Sequence, residues 1–355
     1  MKPLNVLVTG AGAPGIAGTI YSLRNNYDNR EMRIVGTDVK EHVVGRFLCD
    51  DFLTIPPSKD TDKYFAAIKS ICKGGTTPHI DIMIPQNTAE LLFLSQHKAE
   101  LEELGTRVLV SDHEPIVRAN DKYNLFEVAR AKGVPTSKYG LCEDFSTLSK
   151  LVEEMKDKNG YAVVKPPLSN GSRGIRIVCE HRDRKADFYN EKPNSLYVSL
   201  DELHGILGET FPKLIVMEYL PGDEYTVDVF RNGNDFCAIP RKREVIRSGI
   251  TFAASLSKDF RLIDYSRKLA DACGLSMCFG FQFKMNEREE PILLECNPRV
   301  QGTMVMSTFC GANVIYSSVK ALLGETIPSF DIDWDTTLLR YWGALGIHGA
   351  KYDKV

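Results

Sequence analysis

Three side chains that end in an oxygen acceptor, Gln282, Glu295 and Asn297, interrupt two otherwise apolar stretches of the sequence. Both stretches alternate apolar with polar residues, and a polar turn at 286–290 separates them, so they predict an antiparallel hairpin. If the apolar residues share the core face, the three polar side chains share the opposite face and converge as cross-strand neighbours. Carboxylate and amide oxygens suit a hard cation such as Mg²⁺, with Mn²⁺ as an alternative.

An arginine follows the second stretch. Pro298 ends the strand, and Arg299 comes next, where a guanidinium can contact a phosphoryl group during its transfer. Arg299 is therefore a candidate catalytic residue. A polar face on an edge hairpin, without a metal, is the alternative interpretation of the same pattern.

A lysine and a loop form a second candidate group. Lys165 lies near the end of the apolar stretch 161–166, and the segment Ser169–Gly174 that follows is rich in backbone donors. A lysine supplies a point charge and loop amides form a cradle, so the pair predicts a polyphosphate site. The alternative is an exposed lysine beside an ordinary hairpin loop.

A third group lies where the apolar strand 214–219 runs into a short connection. Glu218, Tyr219 and Leu220 at this hinge offer groups to the edge of a base. Glu224 begins the next strand and can accept hydrogen bonds from ribose hydroxyls. Taken singly, the two glutamates also fit ordinary surface positions.

The first predicted domain, residues 1–112, alternates strands with helices, as a parallel sheet requires. Its strands are predicted at 5–9, 33–38, 80–85 and 107–111, and its helical stretches at 16–24 and 89–104.

The second predicted domain, residues 113–355, contains a small α+β lid at about 137–220 and antiparallel strands from 224 to 297. The charged stretch 181–195 has no apolar period and predicts an exposed insertion. Helices are predicted at 122–132, 146–158, 200–207, 264–273 and 313–323.

The glycine-rich loop Gly10–Gly15 follows a strand and opens a helix, and Asp38 closes the next strand. This spacing is typical of dinucleotide binding, so an NAD-dependent dehydrogenase is an alternative. Pro14 removes one amide that a pyrophosphate could use, and a fold without a cofactor needs the same tight turn.

Composition limits the classes of protein further. The 355 residues are 43% hydrophobic and 26% charged, which is ordinary for a globular protein. A net charge of −3 argues against nucleic acid as the main partner. The sequence shows no membrane-spanning run and no signal peptide, so a cytoplasmic location is expected. The nine scattered cysteines predict reduced, buried thiols.

Taken in order, these residues resemble the ATP-grasp superfamily, and most closely one synthetase unit of the carbamoyl phosphate synthase large subunit. The opening Val8–Gly12 resembles that family's pre-ATP-grasp domain, which is Rossmann-like but carries no nicotinamide cofactor. The matching runs are Asp121-Lys122, Val164-Lys165-Pro166, Ser172-Arg173-Gly174, Met217-Glu218-Tyr219 with Glu224, Gln282, and Glu295-Cys296-Asn297-Pro298-Arg299.

The resemblance implies an α/β fold in which a Rossmann-like pre-ATP-grasp domain precedes an ATP-grasp domain with a lid and an antiparallel sheet. The implied ATP-binding residues are Lys122, Lys165, Ser169, Gly171, Ser172, Gly174, Glu218, Tyr219, Leu220 and Glu224. The implied Mg²⁺ ligands are Gln282, Glu295 and Asn297. The implied catalytic residues are Arg299, Lys165 and, by a looser match, Arg243.

The implied activity is that of an ATP-dependent ligase, which activates a small-molecule carboxylate as an acyl phosphate and transfers it to an amine or a thiol. A homodimer is expected from base rates. The run Gln301-Gly302-Thr303 departs from the serine- and arginine-bearing continuation of the synthase, which argues against bicarbonate as the substrate. A non-catalytic ATP-binding regulatory module is a further alternative.

Overall fold

The structure is a computed structural model that describes residues 1–169, 171, 173–192, 195–341, 343–348 and 351–354. The chain packs into two compact units. The larger unit comprises Met1–Asn120, Glu224–Phe283 and Glu295–Val355, and the smaller comprises Asp121–Asp223 and Lys284–Leu294.

The first part of the larger unit is a parallel sheet in the strand order β3-β2-β1-β4-β5. Val6 and Val8 of its central strand pack into one core cluster, whereas Leu7 packs into another. Because both faces of a parallel sheet are buried, this strand is apolar from Val6 to Val8. The elements are β1 (Leu4–Thr9), α1 (Ile16–Arg24), β2 (Met32–Asp38), β3 (Asp51–Thr54), α2 (Thr61–Lys73), β4 (Ile82–Ile84), α3 (Thr88–Gln96), α4 (Lys98–Glu103), β5 (Arg107–Val108) and α5 (His113–Asn120), with a 3₁₀ turn at Val44–Phe47.

The smaller unit has a five-stranded sheet in the order β6-β10-β7-β8-β9, antiparallel except for the last pair. Asp121 caps the helix that opens the unit by accepting from the amides of Tyr123 and Asn124. The elements are α6 (Lys122–Ala131), β6 (Tyr139–Asp144), α7 (Phe145–Met155), β7 (Ala162–Lys165), β8 (Arg176–Val178), α8 (Arg184–Asn190), β9 (Tyr197–Val198), α9 (Leu200–Leu207) and β10 (Thr210–Glu218).

A six-stranded antiparallel sheet follows, in the order β15-β14-β11-β12-β13-β16. One face of its central strands carries Phe230, Ile239 and Cys278 into the same core cluster as the parallel sheet. The elements are β11 (Glu224–Asn232), β12 (Asp235–Arg247), β13 (Ile250–Leu256), α10 (Phe260–Cys273), β14 (Met277–Met285), β15 (Pro291–Asn297), α11 (Val305–Phe309), α12 (Val314–Leu322) and β16 (Thr337–Leu339), and then a separate hairpin of β17 (Leu345–His348) and β18 (Lys351–Lys354).

The predicted α/β fold, with its parallel sheet, small α+β unit and antiparallel sheet, is confirmed. The predicted insertion at 181–195 contains a short helix, α8, which the sequence analysis did not predict. Asp183 caps it, and none of its residues is buried, so it has no apolar period to detect. Residues 193 and 194 of the insertion lie outside the described residues. The domain boundary at 112 stays a prediction.

A buried ion pair lies inside the antiparallel sheet. Arg241 on β12 donates from Nε to Asp228 on β11 at 2.9 Å, and both side chains are at most 2% exposed. An uncompensated charge in such a place is costly, so each partner depends on the other.

All nine cysteines are free thiols, and only Cys49 is not fully buried. Burial raises the pKa of Cys49 and Cys278 to about 12 and that of Cys296 well above its usual value. The expectation of reduced, mostly buried thiols agrees with this packing. Across the described residues, no helix has the length and hydropathy needed to cross a bilayer.

We expect Asp228→Ala to lower the free energy of unfolding by about 3–5 kcal/mol, because it leaves the Arg241 guanidinium buried without its counter-charge. Urea denaturation followed by circular dichroism measures this loss. The matched control is Asp264→Ala, which removes a surface pair with Lys268; its denaturation midpoint should equal that of the wild type. Equal midpoints for the two variants would contradict the role of the buried pair.

Candidate active site

The end of strand β15 brings three of the predicted side chains together in the larger unit. Nδ2 of Asn297 donates to Oε1 of Glu295 at 3.4 Å, and Nη2 of Arg299 donates to Oδ1 of Asn297 at 3.5 Å. Glu295 and Asn297 are two residues apart on one strand, so they share a face. A carboxylate, an amide and a guanidinium therefore form one polar group at the end of the strand.

Arg299 is held on its other side by the parallel-sheet domain. Its Nε donates to Oγ1 of Thr88 at 2.9 Å, at the first residue of α3. Burial lowers the pKa of Arg299, while the negative charges of Glu295 and Glu90 oppose that shift. The guanidinium stays charged, because an arginine pKa starts far above neutrality.

Glu90 is itself a fully buried carboxyl group. It accepts hydrogen bonds from the hydroxyls of Thr9 and Tyr64 and from the backbone amide of Asn87. Burial raises its pKa, and these donors act in the opposite direction. This network joins the start of α3 to β1 and so fixes the helix end that carries Thr88.

Gln282, the third predicted metal ligand, lies on β14, the neighbour of β15 in the sheet. Gly280 lies two residues before Gln282 and therefore on the same face of β14. Its lack of a side chain leaves room for Gln301, since a Cβ at Gly280 would lie 1.3 Å from Nε2 of Gln301. The loop after β15 therefore covers the face on which Gln282 lies. Coordination by Gln282, Glu295 and Asn297 stays a prediction, and their oxygen donors fit Mg²⁺.

Glu224 and Arg243, predicted for ribose binding and catalysis, form an ion pair in the larger unit. Arg243 also donates to Oγ1 of Thr251 at 2.8 Å and to the carbonyl of Gly249 at 2.7 Å. Its guanidinium is thus oriented by Glu224 and Thr251 on the two adjacent strands and by Gly249 in the turn between β12 and β13.

In the smaller unit, Lys122 reaches the predicted phosphate loop. Its Nζ donates to the carbonyl of Ser169 at 2.9 Å and to its hydroxyl at 3.3 Å. Lys165 lies over the ring of Phe126 and donates to the carbonyl of Leu294 at 3.4 Å. Both lysines are buried, at 3% and 4% exposure, so Lys165 is not the solvent-exposed lysine of the alternative interpretation.

The phosphate loop needs glycine at two places. Gly171 and Gly174 have φ values of 58° and 74°, in the left-handed region that favours glycine. A Cβ at Gly174 would also lie 2.7 Å from Cγ of Pro166. Ser172, predicted to bind phosphate, lies outside the described residues.

The predicted adenine hinge is ordered by its neighbours. Oε2 of Glu218 accepts from the amide of Lys138 at 3.0 Å, so this carboxylate already braces β6 against β10. Tyr219 stacks on Tyr161 at 5.2 Å between ring centroids, and Leu220 is buried. The backbone of the hinge is held firmly, as base recognition by backbone groups would require.

The glycine-rich N-terminal loop has local partners. Oδ2 of Asp38 accepts a hydrogen bond from the amide of Gly12 at 2.7 Å. The carboxylate that a dinucleotide ribose would need is therefore already engaged within the loop. A cavity of about 70 Å³ lies beside Gly10 and Asp38, well below the ~300 Å³ of a typical ligand pocket. This geometry disfavours the dehydrogenase alternative.

Sequence patterns did not indicate the roles of Thr88, Glu90 and Gln301 around the site, or of Asp228 in the buried ion pair. The sequence does contain a signal for Asp228. An acid at position 228 between two buried valines, opposite an arginine-bearing strand, is typical of an internal ion pair. The contacts of Thr88 and Gln301 join segments about 200 and 20 residues apart, and no local pattern predicts them.

Two family models match the chain. Residues 6–109 match the model of the PylC-like N-terminal domain. Residues 210–338 match the model of ATP-grasp in the biosynthetic pathway with Ter operon.

The arginine-specific carbamoyl phosphate synthase large chain of Halalkalibacterium halodurans is 25% identical over 244 residues, which cover 65% of this chain and 21% of that protein. The chain thus spans about a fifth of the length of this relative.

Solved structures of the same fold cover more of the chain. The N5-carboxyaminoimidazole synthetase of Staphylococcus aureus with ADP has a TM-score of 0.64 at 14% identity, covering 93% of this chain and 80% of that one. The biotin carboxylase domain dimer of Hydrogenobacter thermophilus 2-oxoglutarate carboxylase, with MgADP and bicarbonate, has a TM-score of 0.67 at 17% identity, covering 94% and 73%. The solved structures show that the chain shares their fold, and with the ordered motifs, the two family models and this relative, the chain resembles an ATP-grasp superfamily protein and, within it, one synthetase unit of the carbamoyl phosphate synthase large chain.

Proposed function

We propose that this protein is an ATP- and Mg²⁺-dependent ligase that joins a small-molecule carboxylate to an amine, or to a thiol, and releases ADP and phosphate. The observation that supports this most is the contact series from Glu295 through Asn297 to Arg299 at the end of β15. These contacts bring a carboxylate and a guanidinium beside each other, the two groups that the proposal assigns to metal and phosphoryl binding.

Two groups of residues would bind ATP. In the smaller unit, Lys122, Lys165 and the 169–174 loop bind the phosphates, and the hinge at Glu218–Leu220 binds adenine. In the larger unit, Glu224 binds ribose. The buried lysines suit this role, because a charge shielded from water interacts more strongly with a phosphate than an exposed charge does.

The chemistry would proceed in two steps. A carboxylate oxygen of the substrate attacks the γ-phosphorus, and the bond to the β,γ-bridging oxygen breaks, so that ADP leaves and an acyl phosphate forms. The amine nitrogen then attacks the acyl carbon, phosphate departs with the electrons of the carbon–oxygen bond, and the amine loses a proton to solvent.

The side chains act by position and charge. Bound Mg²⁺ would neutralise phosphate charge, held by Gln282, Glu295 and Asn297. Arg299 orients the phosphoryl group through its guanidinium, which Thr88 and Asn297 keep in place. Arg243, oriented by Glu224 and Thr251, supplies a second positive charge. Closure of the 169–174 loop over the phosphates would keep water from the acyl phosphate.

The class of the reaction is tested by a phosphate-release screen of carboxylates with hydroxylamine as a general nucleophile. A positive acid should give stoichiometric ADP, phosphate and a hydroxamate, whose mass identifies the activated acid. Tight ATP binding with no phosphate release across the screen would instead support a regulatory module. Quenched or shifted NADH fluorescence on mixing would support the dehydrogenase.

We expect Glu295→Ala to reduce turnover by at least about a hundredfold, because it removes the one carboxylate of the predicted metal site. Initial rates of phosphate release at saturating Mg²⁺ measure the loss. Glu287→Ala is the matched control, since this carboxylate on the hairpin turn pairs with Lys158 at the surface; it should keep the wild-type rate. Full activity of Glu295→Ala would refute the metal assignment.

We expect Gly174→Ala to weaken ADP binding about tenfold, because a Cβ there strains the left-handed backbone and meets Pro166. Titration calorimetry with ADP measures the affinity. Gly205→Ala serves as the control, since a Cβ at this position of α9 has no atom within 4 Å. If both variants bind ADP like the wild type, the loop does not hold the phosphates.

A further inference from the structure

Arg340 binds three backbone carbonyls that belong to three separate segments of the larger unit. Its Nη2 donates to Gly302 at 2.9 Å, its Nη1 to Pro14 at 3.1 Å and its Nε to Thr251 at 3.3 Å. Its own amide donates to Phe252 at 2.7 Å, directly after β16. A guanidinium presents donors in a rigid planar fork, so one side chain can bind all three segments at once.

The first two of these segments also touch directly. A Cβ at Gly15 would lie 2.7 Å from Cα of Gly302. The backbones of the glycine-rich loop and of the loop after β15 therefore approach closely, and the contact requires glycine at position 15. Just beyond this contact, a Cβ at Gly18 would lie 2.9 Å from Cβ of Val305. Gly15 thus allows a close approach of two backbones, and Gly18 leaves room for the Val305 side chain.

Gly302 belongs to the segment that carries two predicted site residues. It comes three residues after Arg299 and five after Asn297. Within the segment, the Arg299 amide donates to the Asn297 carbonyl at 2.8 Å, and Nη1 of Arg299 donates to the Val300 carbonyl at 2.9 Å. A shift of Gly302 would therefore be transmitted to the end of β15.

We propose that Arg340 and the Gly15–Gly302 contact form a backbone clamp that positions Asn297 and Arg299 for metal and phosphoryl binding. Arg340 is thus a positioning residue, and the glycine-rich loop anchors the exit of the metal-binding strand. This proposal rests on the proposed function of the site. It assigns a task to the one motif that ATP binding leaves unexplained, the Gly10–Gly15 run.

The clamp acts on the metal side of the site. Loss of the Arg340 guanidinium removes the donor shared by the Pro14, Gly302 and Thr251 carbonyls, so the loop after β15 can move away from the glycine-rich loop. The predicted phosphate residues Lys122 and Lys165 belong to the smaller unit. ADP affinity without a divalent ion should therefore stay unchanged, while metal affinity falls.

The test compares wild type, Arg340→Ala and Arg340→Lys. MnCl₂ is titrated in the presence of ADP, with free Mn²⁺ measured by electron paramagnetic resonance, and ADP is titrated by calorimetry in EDTA. Arg340→Ala should bind Mn²⁺ about tenfold more weakly, the effect typical of residues that orient metal ligands. Arg340→Lys should recover part of the affinity, since an ammonium can still serve one or two carbonyls. ADP affinity in EDTA should be equal for all three proteins.

A second pair of variants tests the same clamp by adding one methyl group to either side of the glycine contact. Gly15→Ala places its Cβ 2.7 Å from Gly302, whereas the nearest atom to a Cβ at Gly302 is 3.9 Å away. Gly15→Ala should therefore weaken Mn²⁺ binding as Arg340→Ala does, and Gly302→Ala should match the wild type. This pair decides the question if Arg340→Ala does not fold.

The outcomes separate the two proposals. Wild-type Mn²⁺ affinity in both Arg340→Ala and Gly15→Ala would overturn the clamp and leave the ligase proposal intact. If ADP affinity in EDTA fell by the same factor as Mn²⁺ affinity, the clamp would also be overturned, because the substitution would then disturb the whole protein and not the metal ligands in particular. A wild-type protein that binds neither ADP nor Mn²⁺ with ADP would overturn the proposed function and the clamp with it.

Discussion

The arrangement of the candidate site in the larger unit depends on the contacts that hold the chain where it leaves strand β15. Within eight residues it presents a carboxylate, an amide, a guanidinium and a buried glutamine, and then meets the glycine-rich loop. A strand end is positioned by the sheet on one side only, so the other side needs contacts of its own. Thr88 supplies a hydroxyl to Arg299, Gly280 leaves space for Gln301, and Gly15 lies against Gly302. The parallel-sheet domain is thus a support for the end of a strand in another sheet.

Several positively charged side chains are buried inside the protein. Lys122, Lys165 and Arg241 are nearly inaccessible to solvent, and Arg299 loses enough water to lower its pKa. Arg241 has Asp228 as its counter-charge, and the two lysines donate to the backbone carbonyls of Ser169 and Leu294. Each of these cations is thus held by specific acceptors in the interior, since burying a charge is costly without them.

Much of this fold could be predicted from local patterns, because its strands and helices carry clear periodicity and caps. Helices α1 and α9 occupy the predicted residues, and the hairpin turn falls at 286–290 as expected. Strand β6 was missed, since most of Tyr139–Asp144 is only partly buried and shows no alternation. The single helical stretch at 89–104 is two helices, because the chain breaks at His97.

Less of the candidate site than of the fold could be predicted from the sequence. Residue types and their order predict metal-binding and phosphate-binding residues, which stay predictions, but they do not predict the contacts that hold these side chains in place. The Glu224–Arg243 pair and the Arg340 contacts join strands and loops that are distant in sequence, and they follow from strand register and loop packing. Long-range hydrogen bonds to backbone carbonyls leave no trace in residue type, because any residue has a carbonyl.

Cys296 lies between the two residues predicted to hold the metal on β15, yet it faces the opposite way and is buried. Its pKa is raised well above the usual value, so the sulfur keeps its proton. A thiolate at this point would favour zinc or copper, which bind sulfur far more strongly than magnesium does. The pleat of a single strand thereby turns this thiol away from the face on which the predicted oxygen ligands lie, so a cysteine can stand in this sequence without adding sulfur to the predicted metal site.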